Sequence, residues 1–594
     1  MGLPPVDVVE GSGRRGFAAY PGDPQLPSEH LRAARSGRTA VAFAGFLLNR
    51  EELEAGLPGP PPDDEADLIL RLLMHGGTAA LARLRGGFAL LCWDGDRDTL
   101  TATHDPIGTH PLFWAEANGG ILFSDSVETL LEQPGVSRDL NRLALADHIR
   151  WRWPEPQETF FAGIRRVPPG NTLTDTSGAR NVRRTWDPAP LPVSWASADE
   201  VAQFDELFAI AVDRCFELGR VGISLSGGLD SVTVAAFAAE AAERRGVDAP
   251  IALSMLFPDA GVNEEEIQRS VASQLGFKMV MMGLDEAVAP LNVLEATLEL
   301  AKSWPAPMYN PWLPAYLALG HVGRQHGADS FVTGGGGDEW LCVSPYLAAD
   351  LMASLDVLGL YRLVAGARRS HRMSTAMILK CYLWTFGVRA LGRRALGSVP
   401  ALLERRDRRV LQRTTQSWLA PDPELRRAID DRFTPAGAPR NYYQRELREG
   451  LDASLIAQEL EEFFELGRRV GLPVLRPFLD PDVIGLLARV PPEVLNHGGR
   501  TKALVRQTLD GRFPELAFGQ QRKVQAIPTL ERVLRTQFAE LWASVGPPRA
   551  LADLGVVDLP KLETAAADAY SHPYRSLWRL FMLESLEVFA RARL

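Results

Sequence analysis

Cysteine is scarce in this chain. Its 594 residues contain four, Cys92, Cys215, Cys342 and Cys381. No two form a Cys-x-x-Cys pair, which argues against a zinc ribbon or a dithiol redox site. Sparse, unpaired cysteine is the pattern of a reducing compartment. No apolar run reaches the ~18–20 residues that a membrane-spanning helix needs. The opening stretch MGLPPVDVVEGSGRR lacks the basic-then-apolar order of a signal peptide, and its Met-Gly start has Val6 where a lipidation motif wants Ser or Thr. A cytoplasmic protein without a membrane partner is expected. There is also no basic surplus: the net charge is -10, so nothing general points to nucleic acid.

The composition is ordinary for a globular protein, with 46% hydrophobic and 23% charged residues. The length predicts two or more domains. Residues 1–185 carry short apolar runs separated by turn residues, as in WDGDRDTL and EANGGILF, which read as hairpins. One helix is predicted in DDEADLILRLLMHGG, with Asp63 or Asp64 as N-cap. This part reads as a β-rich α+β domain. Residues 186–199 are rich in Pro, Ser and Ala and read as a linker. From about 200 to 594, strand-length runs (VGISL, IALSMLF, KMVMMG, DSFVTG) alternate with helical stretches, which predicts an α/β domain with a parallel sheet. Residues 345–470 read as a large helical region.

Two glycine-rich turns carry the chemistry. SLSGGLDS, 224–231, follows a strand and opens an Ala-rich helix that should close at Gly246. A strand-to-helix turn offers free backbone N–H groups and the positive end of a helix dipole, which suit a phosphate. No Lys follows the glycines, so this is not a Walker-type loop. Asp230 would repel a phosphate unless a cation lay between them. FVTGGGGDEW, 331–340, is the second turn, with Asp338 and Glu339 at its end. Asp230 and Asp338 are hard oxygen ligands suited to Mg²⁺, while Glu339 can be a further ligand or a structural carboxylate. Lys502, Arg506, Arg522 and Lys523 can supply positive charge to a pyrophosphate or a developing oxyanion. His104 and His110 read as structural, and the basic cluster over 362–413 as a solvated face.

SGGLDS, TGGGGDE, LRPFLDPDVIGLLARVPPE and GRTKALVRQTL stand in the order found in asparagine synthetases and their relatives, whose first domain ARLRGGFALLCWDGDRDTLTATHDPIGTHPLFWA resembles. The resemblance implies an N-terminal glutaminase-type (Ntn-hydrolase-like) domain followed by a PP-loop synthetase domain. It also implies ATP cleavage to AMP and PPi, with Mg²⁺, to activate a carboxylate for attack by an amine. By motif match, Ser226, Gly227, Gly228, Asp230 and Ser231 would hold pyrophosphate. Ser224, Leu225, Ser254, Met255, Thr333 and Gly334 would surround the adenosine. Asp230 and Asp338 would bind the metal, and Lys523 would steady the transition states, with Lys502 and Arg506 as further catalytic cations.

The departures from the family pattern narrow the expectation. A working glutaminase has Cys directly after the initiator Met, where this chain has Gly2; the family's Asn-Gly-Glu is Ala44-Gly45-Phe46. Glutamine hydrolysis is therefore expected to be absent. Two related groups share that loss: β-lactam synthetases and the macrolactam cyclases of lasso peptides. In the β-lactam branch a Tyr or Glu in the glycine-rich loop takes part in catalysis; here that position is Gly335, which leaves room for something larger. The resemblance to lasso peptide cyclases then implies a precursor core peptide as substrate, with a leader-binding protein and a leader peptidase as partners. It also implies a wide cavity between the sheet and the 345–470 helices. The alternatives are cyclisation of a small β-amino acid, or an asparagine synthetase running on free ammonia.

Overall fold

The structure, a computed structural model, describes residues 6–7, 17–20, 31–151, 155–371, 373–397, 399–432, 439–452, 454–569 and 573–594. Gly2 and Arg372 lie outside the described residues.

The first part is two layers of sheet. Antiparallel hairpins join Arg32–Ser36 to Thr39–Leu47, Gly86–Asp94 to Thr99–His104, and Asn171–Thr176 to Ala179–Arg184 in a six-stranded sheet. Phe113–Ala117 and Gly120–Ser124 form the second predicted hairpin, within a five-stranded sheet. Their inner faces meet through Leu91, Leu100, Ala102, Trp114 and Phe123, all buried. The predicted helix is Glu65–Gly76, and Asp64 caps it by accepting from the Asp67 N–H at 2.9 Å. Its apolar stripe of Ala66, Leu68, Ile69 and Leu72 covers the outer face of the six-stranded sheet. His104 and His110 are both tied inside this part. His104 lies 2.8 Å from the Asp105 carbonyl and 2.9 Å from that of Val167, and His110 lies 3.0 Å from Asp125.

The second part is built on a parallel sheet in the order Lys278–Gly283, Ile251–Leu256, Val221–Ser224, Ser330–Val332, Val474–Leu475. Gly222 pairs with Ile251 on one side and Phe331 on the other. The helix Leu229–Arg245 lies against this sheet, with Val232, Thr233, Val234 and Ala235 fully buried. Its alanines let neighbouring elements approach on several sides. Gly246, at φ +63°, ends it in the left-handed conformation that glycine adopts without steric cost. The described residues of 345–470 are mainly helical, including a π-helical turn over Lys380–Val388.

Segment 186–197 has neither helix nor strand, but it is not a free tether: Ala189, Val193 and Ala196 are buried in the core of the second part. Ion pairs join the two parts directly. Arg85 contacts Asp482 at 2.6 Å and Arg166 contacts Glu461 at 2.7 Å. Among the described residues, no helix is long and apolar enough to cross a membrane.

Candidate active site

In a parallel sheet the carboxyl ends of the strands form one rim, where ligands collect. Three strands end there in the predicted segments: Ser224, Leu256 and Val332 are their last residues. The turn after Ser224 is held by its own side chains. The Ser231 hydroxyl donates to the Gly228 carbonyl at 3.1 Å and accepts from the Ser226 N–H at 3.1 Å. Gly227 takes φ +81°. The helix that starts at Leu229 has no side-chain N-cap among the described residues, so its first N–H groups face the rim. Gln521 reaches back and donates to the Gly227 carbonyl at 3.0 Å.

The four glycines of the second turn let other segments of the protein approach closely. A Cβ on Gly334 would stand 2.7 Å from the Ser231 nitrogen, and one on Gly337 would stand 2.4 Å from Asp230 Cγ. The two turns can therefore lie directly against each other. Gly336 takes φ +97° beneath Leu479. The expected room beside Gly335 is also filled: a Cβ there would lie 3.2 Å from Arg476 Cδ.

This contact brings the two distant carboxylates around one cation. Lys502 Nζ lies 2.5 Å from Asp230 and 2.6 Å from Asp338, and Lys523 Nζ lies 2.7 Å from Asp338. Lys502 is held in place by a backbone that few non-glycine residues adopt, φ +61° at the start of the helix Ala503–Arg512. Burial would raise the Asp338 carboxyl, but the Lys502 and Lys523 ammoniums outweigh it and hold Asp338 at about 2. Burial would lower the Lys502 ammonium, but Asp230 and Asp338 reverse this and raise it above its ordinary range. Lys502 is therefore charged at neutral pH.

The remaining predicted residues divide. Thr333 sits at the turn, its hydroxyl accepting from the Gly335 N–H at 3.2 Å. Ser254 is fully buried and donates to the Leu225 carbonyl at 2.8 Å, so its hydroxyl ties two strands together. Met255 is buried beside it. Arg506 is not brought to the cluster. Its guanidinium donates to the carbonyls of Thr501 at 2.8 Å and Phe518 at 2.5 Å, which braces the segments carrying Lys502 and Lys523. Arg522 is exposed.

The arrangement fits the groups the motifs imply. Asp230 Oδ1 is buried with no hydrogen-bond partner among the described residues, an acceptor suited to a cation. No cluster of three or more metal-ligating His, Cys, Asp or Glu occurs among those residues. Two carboxylates are nevertheless enough for Mg²⁺, which commonly takes one or two from the protein and the rest from phosphate and water.

Well over half of the chain, residues 203–588, matches the asparagine synthase family, and residues 31–186 match the glutamine amidotransferase domain. The chain belongs to the asparagine synthase family. Asparagine synthetase 1 of Bacillus subtilis is 22% identical over 82% of this chain and 76% of its own length. The carboxyethyl-arginine beta-lactam-synthase of Streptomyces clavuligerus is 32% identical over 36% of this chain and 39% of its own length. The amidase chyE of Penicillium rubens is 27% identical over 49% of this chain and 45% of its own length. The chain spans about half the length of the first curated relatives it matches.

A cavity of about 440 Å³ opens beside the cluster. Asp338, Glu339, Lys523 and Arg476 face it from the synthetase turns, Tyr382, Leu447 and Glu459 from the 345–470 helices, and Ile107 and Trp186 from the first part and the segment after it. Arg476 and Glu459 are lining residues that sequence reasoning missed as site residues. Arg476 follows a strand only two residues long, too short to register as periodicity, although its LRPFLD setting at a strand's carboxyl end was a usable signal.

Phe46, which stands in place of the last residue of the family's Asn-Gly-Glu, lies at the wall of a small cavity of about 100 Å³. Its ring lies close over Gly87, 3.0 Å from where a Cβ there would be. Cys92, the first cysteine of the chain, is buried and its thiol is pushed up to about 12 by that burial.

Proposed function

We propose that this chain closes a macrolactam: it activates the side-chain carboxylate of an Asp or Glu in a peptide and joins it to that peptide's own N-terminal amine, as lasso peptide cyclases do. The observation that carries this reading is the wide, mixed apolar and charged cavity placed directly against the Asp230–Lys502–Asp338–Lys523 cluster. A further support is the sequence of the first domain, where Ala44-Gly45-Phe46 stands in place of the family's Asn-Gly-Glu.

Two balanced steps make up the reaction. A carboxylate oxygen attacks the α-phosphorus of ATP, the bond to the bridging oxygen breaks, and PPi leaves with that electron pair. The amine nitrogen then attacks the acyl carbon, AMP leaves, and the amine gives up a proton. In this reading the turn from Ser226 to Ser231 and the N-terminus of the following helix hold the departing pyrophosphate. Asp230 and Asp338 would hold Mg²⁺, which when bound neutralises phosphate charge. Lys523 and Lys502 stabilise charge as it develops on the phosphoryl and acyl oxygens. The cavity holds amine and acyl group in one chain, and such orientation can supply roughly 7–11 kcal/mol of the barrier. A core peptide is the substrate, and a leader-binding protein and a leader peptidase would precede this enzyme in the sequence of reactions.

The test supplies core peptides with ATP and Mg²⁺ and measures mass. Loss of one water, dependent on a free N-terminus and on the acidic side chain, with AMP as nucleotide product, is expected. Linear peptides alongside cyclisation of a small β-amino acid would favour the second reading, which rests on the similarity to the Streptomyces clavuligerus synthase.

A further inference from the structure

One charged group at the cavity is left without the partner its position demands. The Arg476 side chain is only 6% exposed, yet one of its terminal nitrogens is buried with no hydrogen-bond acceptor among the described residues. The nearest carboxylate, Glu459, is 4.0 Å from the other terminal nitrogen, beyond hydrogen-bond distance, and is itself 40% exposed to the cavity. Below, the guanidinium rests on the Phe463 ring, 3.9 Å from its centroid, which fixes its plane. On another side its stem abuts Gly335, in the same turn that ends in Asp338. A buried guanidinium with an unused N–H group is costly unless something pairs with it. A guanidinium resting on an aromatic ring, in a side chain that lines the cavity and has an unused N–H group, is suited to a planar anion with two oxygens.

We propose that Arg476 is a carboxylate-binding subsite: its free N–H groups take the substrate carboxylate that is to be activated and present it to the phosphoryl-transfer cluster. This rests on the amide-ligase reading above and names the chemistry that the cavity recognises. Phosphate is the poorer candidate ligand, because Asp338, Glu339 and Glu459 all line the same cavity and would repel its higher charge. Glu459 has a defined part in this arrangement. As a carboxylate 4.0 Å away, it partly offsets the Arg476 charge and competes with an incoming carboxylate.

The test is equilibrium binding in the absence of nucleotide, so that it does not depend on turnover. The probe is N-acetyl-L-aspartate α-methylamide, a peptide-like molecule with one free carboxylate, and the control is the matching asparagine derivative. Tryptophan emission reads the occupancy, because Trp186 and Trp340 line the cavity. Wild type should bind the aspartate derivative saturably and in preference to the control. Arg476→Met should weaken that binding by about tenfold or more, the scale of a hydrogen bond to a charged group, and Arg476→Lys should recover only part of it. ATP binding should be unchanged in both. Since Arg476 is buried and its replacement can disturb folding, Glu459→Gln provides the complementary reading: removing the competing carboxylate should tighten the aspartate derivative and leave the control unaffected. Equal binding of probe and control by wild type, or no saturable binding, overturns the proposal, as does a Glu459→Gln protein that binds the probe no better. Failure of wild type to bind ATP or to cyclise peptides would instead count against the ligase reading, leaving the carboxylate preference to be decided by its own titration.

Discussion

Lys523 Nζ donates to Asp338 Oδ2 at 2.7 Å across 185 residues of sequence. The contact ties the segment after the helix Ala503–Arg512 to the glycine-rich turn, and it leaves Lys523 about one-third exposed to the cavity. A cation so placed can follow charge that develops on a reacting group while resting on a carboxylate beforehand. Lys523→Met should therefore lower kcat by about 10²–10³, the loss seen on removing one preorganised donor to a developing oxyanion, with little change in ATP affinity. Single-turnover rates beside equilibrium ATP titration separate the two. A large loss of affinity at an unchanged rate would assign Lys523 to ground-state binding.

Asp230 and Asp338 differ in how much the fold depends on them. The Asp230 side chain is 19% exposed and its partner Lys502 only 8%, whereas Asp338 is 44% exposed. Replacing Asp230 by Asn leaves a deeply buried ammonium with one carboxylate instead of two. Both Asp230→Asn and Asp338→Asn should abolish Mg²⁺-dependent release of AMP and PPi, but Asp230→Asn should also lower Tm measurably more. Equal Tm losses would show that the exposed partner carries as much of the ion pairing as the buried one.

Glutamine should not be hydrolysed. The Cys92 thiol is buried and held near 12, Cys215 is raised by burial as well, and Cys342 is pushed up to about 11, mostly by burial. None of these is a thiolate at neutral pH. Glutamate release from glutamine and ATP should stay at the no-enzyme rate. Release above it would identify a nucleophile outside these residues.

Much of the architecture was legible because it rests on local patterns. Asp64 before an apolar stripe and Gly246 after an Ala-rich run marked helix ends that the structure places there. Four of the five parallel strands stood out as apolar runs next to turns. What escaped was non-local. Nothing near Lys502 in sequence indicates that its ammonium stands between two carboxylates, one of them 272 residues away. Arg506 looked equivalent to its neighbours by charge alone, and only the carbonyls of Thr501 and Phe518 show that its donors are taken. The segment holding Ala189, Val193 and Ala196 read as a linker because prolines and serines erase periodicity, yet its apolar residues are buried.

Gly335 offers a direct test of the packing beside Arg476. A Cβ there would meet Arg476 Cδ at 3.2 Å and Nε at 3.3 Å, close enough that the guanidinium must shift by a few tenths of an ångström. Gly335→Ala should introduce roughly 1 kcal/mol of strain. The KM for the carboxylate substrate should rise several-fold while the KM for ATP holds. A rise in both would show that the whole turn moves.

A buried carboxyl group away from the reacting cluster gives the fold a pH dependence. Glu462 is 1% exposed; one of its oxygens accepts from the Tyr309 N–H at 2.5 Å, and the other has no partner among the described residues. Burial drives its carboxyl up to about 8, against the Tyr309 N–H, which favours the charged form, and with help from nearby Glu459. In the unfolded chain the same group ionises near about 4.3. The folded protein therefore binds this proton more tightly than the unfolded chain does. Its stabilising contribution is complete below the unfolded value and is lost as pH climbs towards about 8. Glu462→Gln keeps an acceptor for the Tyr309 N–H and cannot ionise. Its Tm should change less than that of wild type between pH 5 and pH 9, values chosen as about one unit outside the titrating range at the alkaline end, so the variant gains on wild type as the solution becomes alkaline. Parallel Tm curves would mean that Glu462 is ionised and solvated in the folded protein, and that the neutral buried acid inferred from its missing partner does not exist.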